Sequence, residues 1–430
     1  MTIDFSLDSP EFQDDPIPVF AAMRSECPVH HNELPAPHFS LTREADVRAA
    51  LRDDTTWSSK AGPGLAFADA SRANAVLVNS DPPKHTTERI AISRLFKPSA
   101  IDAMGDDIRG LVEEIIDGFA DRGEGDLIED LAMAVPLTVM CWLLGTPVAD
   151  ISLYRSWVLP MAEGVTFVSG SMEPRVAKAY AEFGAYFSAH IAERRAVVAA
   201  DVDVPEDLLT RLLTVERDGV RLNDAQVLGF CQFLMVAGSA TTTLLIGNVV
   251  HRLLEHPDQL ALVQADRSLV ASAVEESCRF DSPVHGLFRT NTCPVSLHDV
   301  EIPEGSKTLM MFSSANRDPH AWSDPDRFDI TRDLVTLRRN YAFGYGIHYC
   351  LGAPLARMEA SAALEAVLDR LPDLALDGAP RQVRASVLHG WESLPVCWTP
   401  ASVSGPARGS VSEPASGSAT GSATGSGTVA

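Results

Sequence analysis

Residues 343–352 read FGYGIHYCLG and set one cysteine, Cys350, among Phe343, Tyr345, Tyr349, His348 and the glycines Gly344, Gly346 and Gly352. The run LGAPLARMEASAALEAVLDRL that follows has the apolar spacing of an amphipathic helix. A thiol at a helix N-terminus has its thiolate favoured by the macrodipole and by free N–H groups, so the pattern predicts a lowered thiol pKa. Glycine is entropically costly, and a cluster of it marks close backbone approach or left-handed φ. A low-pKa thiolate suits a nucleophile or a metal ligand. His348 lies only two positions away with no partner arrangement in view, a poor basis for Cys/His proteolysis. The cysteines at 27, 141, 231, 278, 293, 350 and 397 show no CxxC spacing, which argues against a zinc ribbon or a disulfide framework. A lone thiolate can instead hold an iron whose other ligands come from a macrocycle. The alternative is a structural cysteine in a turn.

A second unusual stretch is AGSATTT, residues 237–243. It falls in the middle of an apolar segment that runs from Asn223, a helix N-cap by type, to His256 before Pro257. Such a helix extends roughly 50 Å at 1.5 Å per residue and, being apolar on most faces, belongs in the core. Glycine and consecutive threonines are poor helix formers, and Thr hydroxyls bond back to the preceding turn. A local rule broken inside a buried helix points to a functional site, with close helix–helix packing as the alternative.

The elements that must position these residues are mostly helices. AYAEFGAYFSAHIAERRAVV (179–198) has helical apolar spacing, and TLMMFSS (308–314) after the turn-like PEGSK (303–307) is the best strand. LAMAVPLTVMCWLLG (131–145) is too short to span a bilayer and contains Pro136, so it reads as a buried helix. The acidic N-terminus lacks the features of a signal peptide, and the scattered cysteines suit the cytoplasm. The net charge of −23 over 430 residues argues against a nucleic-acid partner. No membrane partner is expected. Residues 403–430, rich in Gly, Ser, Ala and Thr, read as a disordered tail.

The segment from Phe343 to Gly352 resembles the haem-binding loop of the cytochrome P-450 superfamily, F-G-x-G-x-H-x-C-x-G. Further landmarks occur in order from DPPKH near residue 81 to GWESLPV ending at 396. The resemblance implies a mainly α fold with small β-sheets, one domain over residues 1–402, with haem between the long central helix and the cysteine helix. It implies Cys350 as the axial thiolate on haem b, Phe343 packed near the sulfur, Gly352 beside it, and His348, His85, Arg89 and Arg289 as propionate ligands. The pair Glu276 and Arg279 resembles the family's buried Glu-x-x-Arg, a structural lock on the segment Pro325–Phe328. Thr241 matches the threonine that assists O₂ activation. The family usually carries Asp or Glu just before it, and this chain has Ala240. The acid of the acid–alcohol pair is missing, which puts standard proton delivery in question and leaves Ser239, Thr241 or water for the task.

The implied activity is monooxygenation, one atom of O₂ entering a hydrophobic substrate. Electrons would come from NAD(P)H through a ferredoxin reductase and an iron–sulfur ferredoxin. Arg94, Lys97, Arg109, Arg338, Arg339 and Arg357 fall on proximal-face segments and are candidates for the docking patch. Pocket positions carried over from the family are Leu65, Phe67, Leu234, Ala237, Ala240, Val284, Leu287 and Phe288. WSSKAGPGL (57–65) and SPVHGLFRT (282–290) resemble members that oxidise small para-substituted aromatic acids, often by O-demethylation. On that likeness Lys60, with Ser58 and Ser59, would hold a carboxylate. The other readings are a peroxide-driven haem enzyme, which needs no such acid, and a non-catalytic haem protein that binds or senses gas.

Overall fold

Asn223 starts the longest helix, Asp224–Glu255: its side chain accepts from Gln226 N while Gln226 Oε1 accepts from Asn223 N. This reciprocal cap satisfies backbone donors that would otherwise be orphaned. The helix ends at His256, ahead of Pro257, as the sequence predicts. It is buried on most faces, which explains its apolar composition. The structure, a computed structural model, describes residues 6–65, 76–166, 173–201, 203–217 and 220–400. Phe67 and the 403–430 tail lie outside the described residues.

Around the central helix pack Ala134–Leu144, Ile151–Thr166, Pro174–Ala200, Val270–Phe280 and Ala353–Arg370. The expected helices at 179–198 and 131–145 are two of these, each with shifted ends. Pro136 is tolerated because it sits in the first turn, where the missing N–H has no intrahelical acceptor. Thr241 and Thr243 donate their hydroxyls back to the carbonyls of Ala237 (2.7 Å) and Ser239 (3.0 Å), and the helix runs unbroken through AGSATTT.

The largest sheet has five strands in the order Val29–Asn32, His38–Leu41, Lys307–Met311, Gly286–Asn291 and Trp57–Ser58. The expected strand at 308–314 is shorter than predicted, because Phe312–Ala315 turn into a helical turn. In the antiparallel pairing Leu287, Phe288 and Arg289 face Met310, Leu309 and Thr308. Alternation sends Leu287 and Arg289 to one side of the sheet and Phe288 to the other. A Cβ at Gly286 would lie 2.3 Å from the carbonyl oxygen of Met310, so the strands reach this spacing only with glycine there.

Behind the cysteine helix lies a fully buried ion pair. Arg279 donates twice to Glu276 at 2.7 Å and spends its remaining donors on the carbonyls of Asn316, Pro325 and Arg327. Glu276 also accepts from Asp329 N at 2.9 Å and from Arg332 Nε at 3.3 Å. One guanidinium thereby ties the helix Val270–Phe280 to the irregular chain that leads into the cysteine loop. Removing one partner of such a pair strands a buried charge, a loss of about 3–5 kcal/mol. Arg279→Met should lower folding stability by about that amount, read as a fall in the urea midpoint of the full chain.

Candidate functional site

The cysteine loop and the central helix face each other across a cavity. Gly344 (φ +70°) and Gly346 (φ +72°) hold left-handed conformations that side chains resist. A Cβ at Gly346 would also meet the carbonyl oxygen of Leu51 at 2.4 Å. The two turns carry the chain back so that Cys350 N donates to Phe343 O at 2.8 Å, which fixes the thiol at the cavity wall. Gly352 is different: a Cβ there would meet only Cys350 Sγ, at 3.9 Å. The space beside the sulfur is therefore open.

The sulfur opens onto this internal cavity and is deep within the protein. Its pKa is pushed up by burial, against the opposing pull of the Gly352 N–H, Arg357, Arg89 and the Ala353 N–H. The sequence predicts a lowered value, and the structure corrects this: desolvation outweighs the helix terminus. The sulfur is shaped for a metal that displaces its proton rather than for a free nucleophile.

At one end of the cavity four cationic or polar side chains converge. His85 and Arg89 come from one face of the helix Lys84–Ser93, Arg289 from the sheet and His348 from the cysteine loop. The His85 and His348 rings lie 4.2 Å apart between centroids. His348 Nε2 is 3.0 Å from the Ser59 hydroxyl, and Arg89 Nη2 donates to Tyr349 O at 2.8 Å. Burial pushes the pKa of Arg289 down to about 10, against the pull of Asp81. Its Nη1 is buried and has no hydrogen-bond partner among the described residues. Burial, then Arg289, His85 and Arg89, hold His348 far below its ordinary value. Among the described residues no carboxylate lines this end of the cavity, and Asp81 behind it offsets the buried Arg289 charge only in part. The two propionates of a haem would supply negative charge there, Cys350 would supply the axial ligand, and Gly352 leaves room beside the sulfur; the residues fit the group.

The central helix brings Leu234, Ala237, Thr241 and Thr242 to the cavity, and the sheet side brings Val284 and Leu287. Other expected pocket residues are elsewhere. Phe288 is on the opposite sheet face against His38, and Leu65 packs with it in a separate core cluster. Ala240 is buried in the main core, outside the cavity lining. Ser239 is fully buried with its hydroxyl on Met235 Sδ at 3.9 Å, which leaves Thr241 and Thr242 as the central-helix alcohols at the cavity.

Ser58 and Lys60 are not brought to the cavity. The Ser58 hydroxyl donates to Asp81 Oδ2 at 2.6 Å, and the largely exposed Lys60 ammonium lies 3.8 Å from the same oxygen. Asp81 also accepts from Ser59 N at 2.7 Å, so this acid organises the serine–lysine turn beside His348.

Glu359 also lines the cavity and was not singled out from the sequence. It is buried, its Oε2 has no partner among the described residues, and burial raises its pKa well above the carboxyl range. The sequence signal was available: 355, 359, 362, 363 and 366 form the buried face of Ala353–Arg370, and only 359 is charged.

A cytochrome P-450 family model matches residues 35–372. The cytochrome P-450 monooxygenase PikC of Streptomyces venezuelae is 37% identical over 404 residues, covering 90% of this chain and 92% of the relative. The vitamin D(3) 25-hydroxylase of Pseudonocardia autotrophica is 34% identical, covering 91% of this chain and 96% of the relative. The solved structure of a cytochrome P-450 from Chondromyces apiculatus superposes with a TM-score of 0.83 at 33% identity, covering 94% of this chain and all of the other.

The stranded charge of Arg289 gives a test with two signs. Arg289→Met should stabilise the haem-free chain, by removing an unmet buried donor, and should speed haem transfer to an acceptor protein. Each change is on the order of 1–3 kcal/mol, read by urea denaturation and by transfer kinetics.

Proposed function

The chain belongs to the cytochrome P-450 family, and we propose that this monooxygenase acts on a neutral hydrophobic molecule, with electrons from a separate ferredoxin and ferredoxin reductase. Haem b, when bound, supplies O₂ activation and transfer of one oxygen atom, with electrons delivered by redox partners. The chain's own residues would do the rest: Cys350 would ligate, Arg89 and Arg289 would neutralise the propionates, His85 and His348 would donate hydrogen bonds to them, and the apolar wall would orient the substrate.

The observation that carries the substrate class is the wall opposite Cys350. Leu234, Ala237, Leu245, Val284 and Leu287 are apolar, and the cations of the cavity cluster at the propionate end. Among the described residues a substrate carboxylate would meet no free cation on that wall. The narrower reading, a small para-substituted aromatic acid undergoing O-demethylation, relied on Lys60 and Ser58, which are engaged by Asp81. The relative named as a vitamin D(3) hydroxylase agrees with a neutral hydrophobic substrate.

Arg94, Lys97, Arg338 and Arg339 are exposed, which supports a basic docking face for an acidic ferredoxin. Arg109 is paired with Asp106 at 2.5 Å, and Arg357 is turned inward. The only described helix long and apolar enough to cross a membrane is Asp224–Glu255, and its apolar stretch is mostly buried in the core. A cytoplasmic enzyme is the reading this supports.

Ala240 motivates a second reading, a peroxide-driven enzyme, because peroxide arrives already reduced and carrying its protons. Thr241 holds a hydroxyl at the cavity, but its neighbour supplies no carboxyl to relay protons to it. Two outcomes are expected. Neutral hydrophobic molecules should convert the haem to high spin while para-substituted benzoates do so poorly, and Lys60→Met should leave both responses unchanged; a selective response to benzoates lost in Lys60→Met would restore the acid reading. Ala240→Asp should increase product per NADH consumed more than product from peroxide alone; tight coupling in the unaltered protein with no gain from Asp would remove the proton-relay argument.

A further inference from the structure

Arg357 is expected from the sequence to be a surface charge for docking. Its side chain is only 21% exposed. It forks onto Glu275, through Nε to Oε1 and through Nη2 to Oε2 at 3.3 Å, while Nη1 donates to the Tyr349 hydroxyl at 3.2 Å. Its Cζ lies 4.3 Å from the centre of the Phe343 ring. Phe343 and Tyr349 are residues of the cysteine loop, the first bonded through its carbonyl to Cys350 N and the second adjacent to Cys350. Glu275, 2% exposed, belongs to the helix Val270–Phe280 and accepts from Asn340 Nδ2 at 3.0 Å. The guanidinium thus faces the loop, while the carboxylate comes from the helix behind it and also lies 3.8 Å from the exposed Arg338.

We propose that Arg357 is a positioning residue that sets the reduction potential of the haem, with Glu275 as its counterweight. The proposal rests on the reading that Cys350 ligates the iron. Taking up one electron, ferric to ferrous, adds negative charge at the iron and its thiolate. A cation held nearby in a medium of low dielectric favours the reduced form, and a carboxylate disfavours it. The guanidinium is held by a two-point fork and a stacked ring, which fixes its position relative to the sulfur.

The two members of the pair therefore have opposite expected effects, which no merely structural role produces. The experiment is a spectroelectrochemical titration of the haem-loaded full chain. The carbon-monoxide difference spectrum checks that thiolate ligation persists in each variant. Arg357→Met should lower the potential, Glu275→Gln should raise it, and the double variant should return close to the starting value. Arg357→Lys, which keeps the charge and loses the fork, should stay near the starting value. Shifts of the same sign for Arg357→Met and Glu275→Gln, or no shift in either, overturn the proposal. Where Arg357→Met does not retain haem, a rise in Glu275→Gln with none in Arg357→Lys supports it, and the absence of that rise overturns it. A missing thiolate band in the unaltered protein would instead overturn the haem–thiolate reading itself.

Discussion

Burying Arg289 with one nitrogen unpartnered puts a positive charge in the protein interior that Asp81 balances only in part. Left alone, such a charge works against folding, because desolvation of an unpaired ion far exceeds what packing returns. Arg89, also half-buried, adds to the imbalance, while His85 and His348 are kept neutral by the same surroundings. The arrangement makes sense when dianionic haem is treated as part of the core. The sheet register that aims Arg289 and Leu287 inward, the glycine turns that return Cys350 to the wall, and the helix carrying His85 and Arg89 all converge on that one volume. Stability and cofactor binding are coupled here by charge.

The opposite face of the cysteine helix meets the same difficulty with internal partners. Glu276 and Arg279 satisfy one another and the carbonyls around them, and Glu275 with Arg357 does so one position earlier. Adjacent acids on one helix thus serve different ends. Glu276 reaches Asp329 and Arg332 of the irregular chain, and Glu275 reaches the cysteine loop through Arg357. One helix thereby positions both the approach to the loop and the groups beside its thiol.

How much of this was legible in sequence depended on the range of the interaction. The cap at Asn223 and the stop before Pro257 are local chemistry, and both appear where predicted. The glycines of the cysteine loop were likewise readable, since left-handed φ is a property of the residue itself. The thiol pKa went the other way because burial, a property of the whole fold, outweighed the local helix terminus. Phe288 was misplaced for a related reason: a strand alternates, so a run of three candidates on Leu287, Phe288 and Arg289 cannot all face one cavity. Lys60 and Ser58 were assigned a ligand that Asp81, more than twenty positions away, already replaces.

Proton supply is where the local and global readings meet. In sequence, Ala240 is a missing acid beside Thr241. In space, its methyl is packed in the main core while Thr241 and Thr242 line the cavity, so the position is one turn-face removed from the chemistry. Among the described residues the cavity lining still holds one carboxyl, Glu359, whose Oε2 has no partner and whose pKa burial raises. Burial disfavours the carboxylate and favours the neutral acid, which costs less to desolvate. Glu359 belongs to the helix that follows the cysteine loop and Thr241 to the central helix, so this carboxyl is not the neighbour that the alcohol lacks.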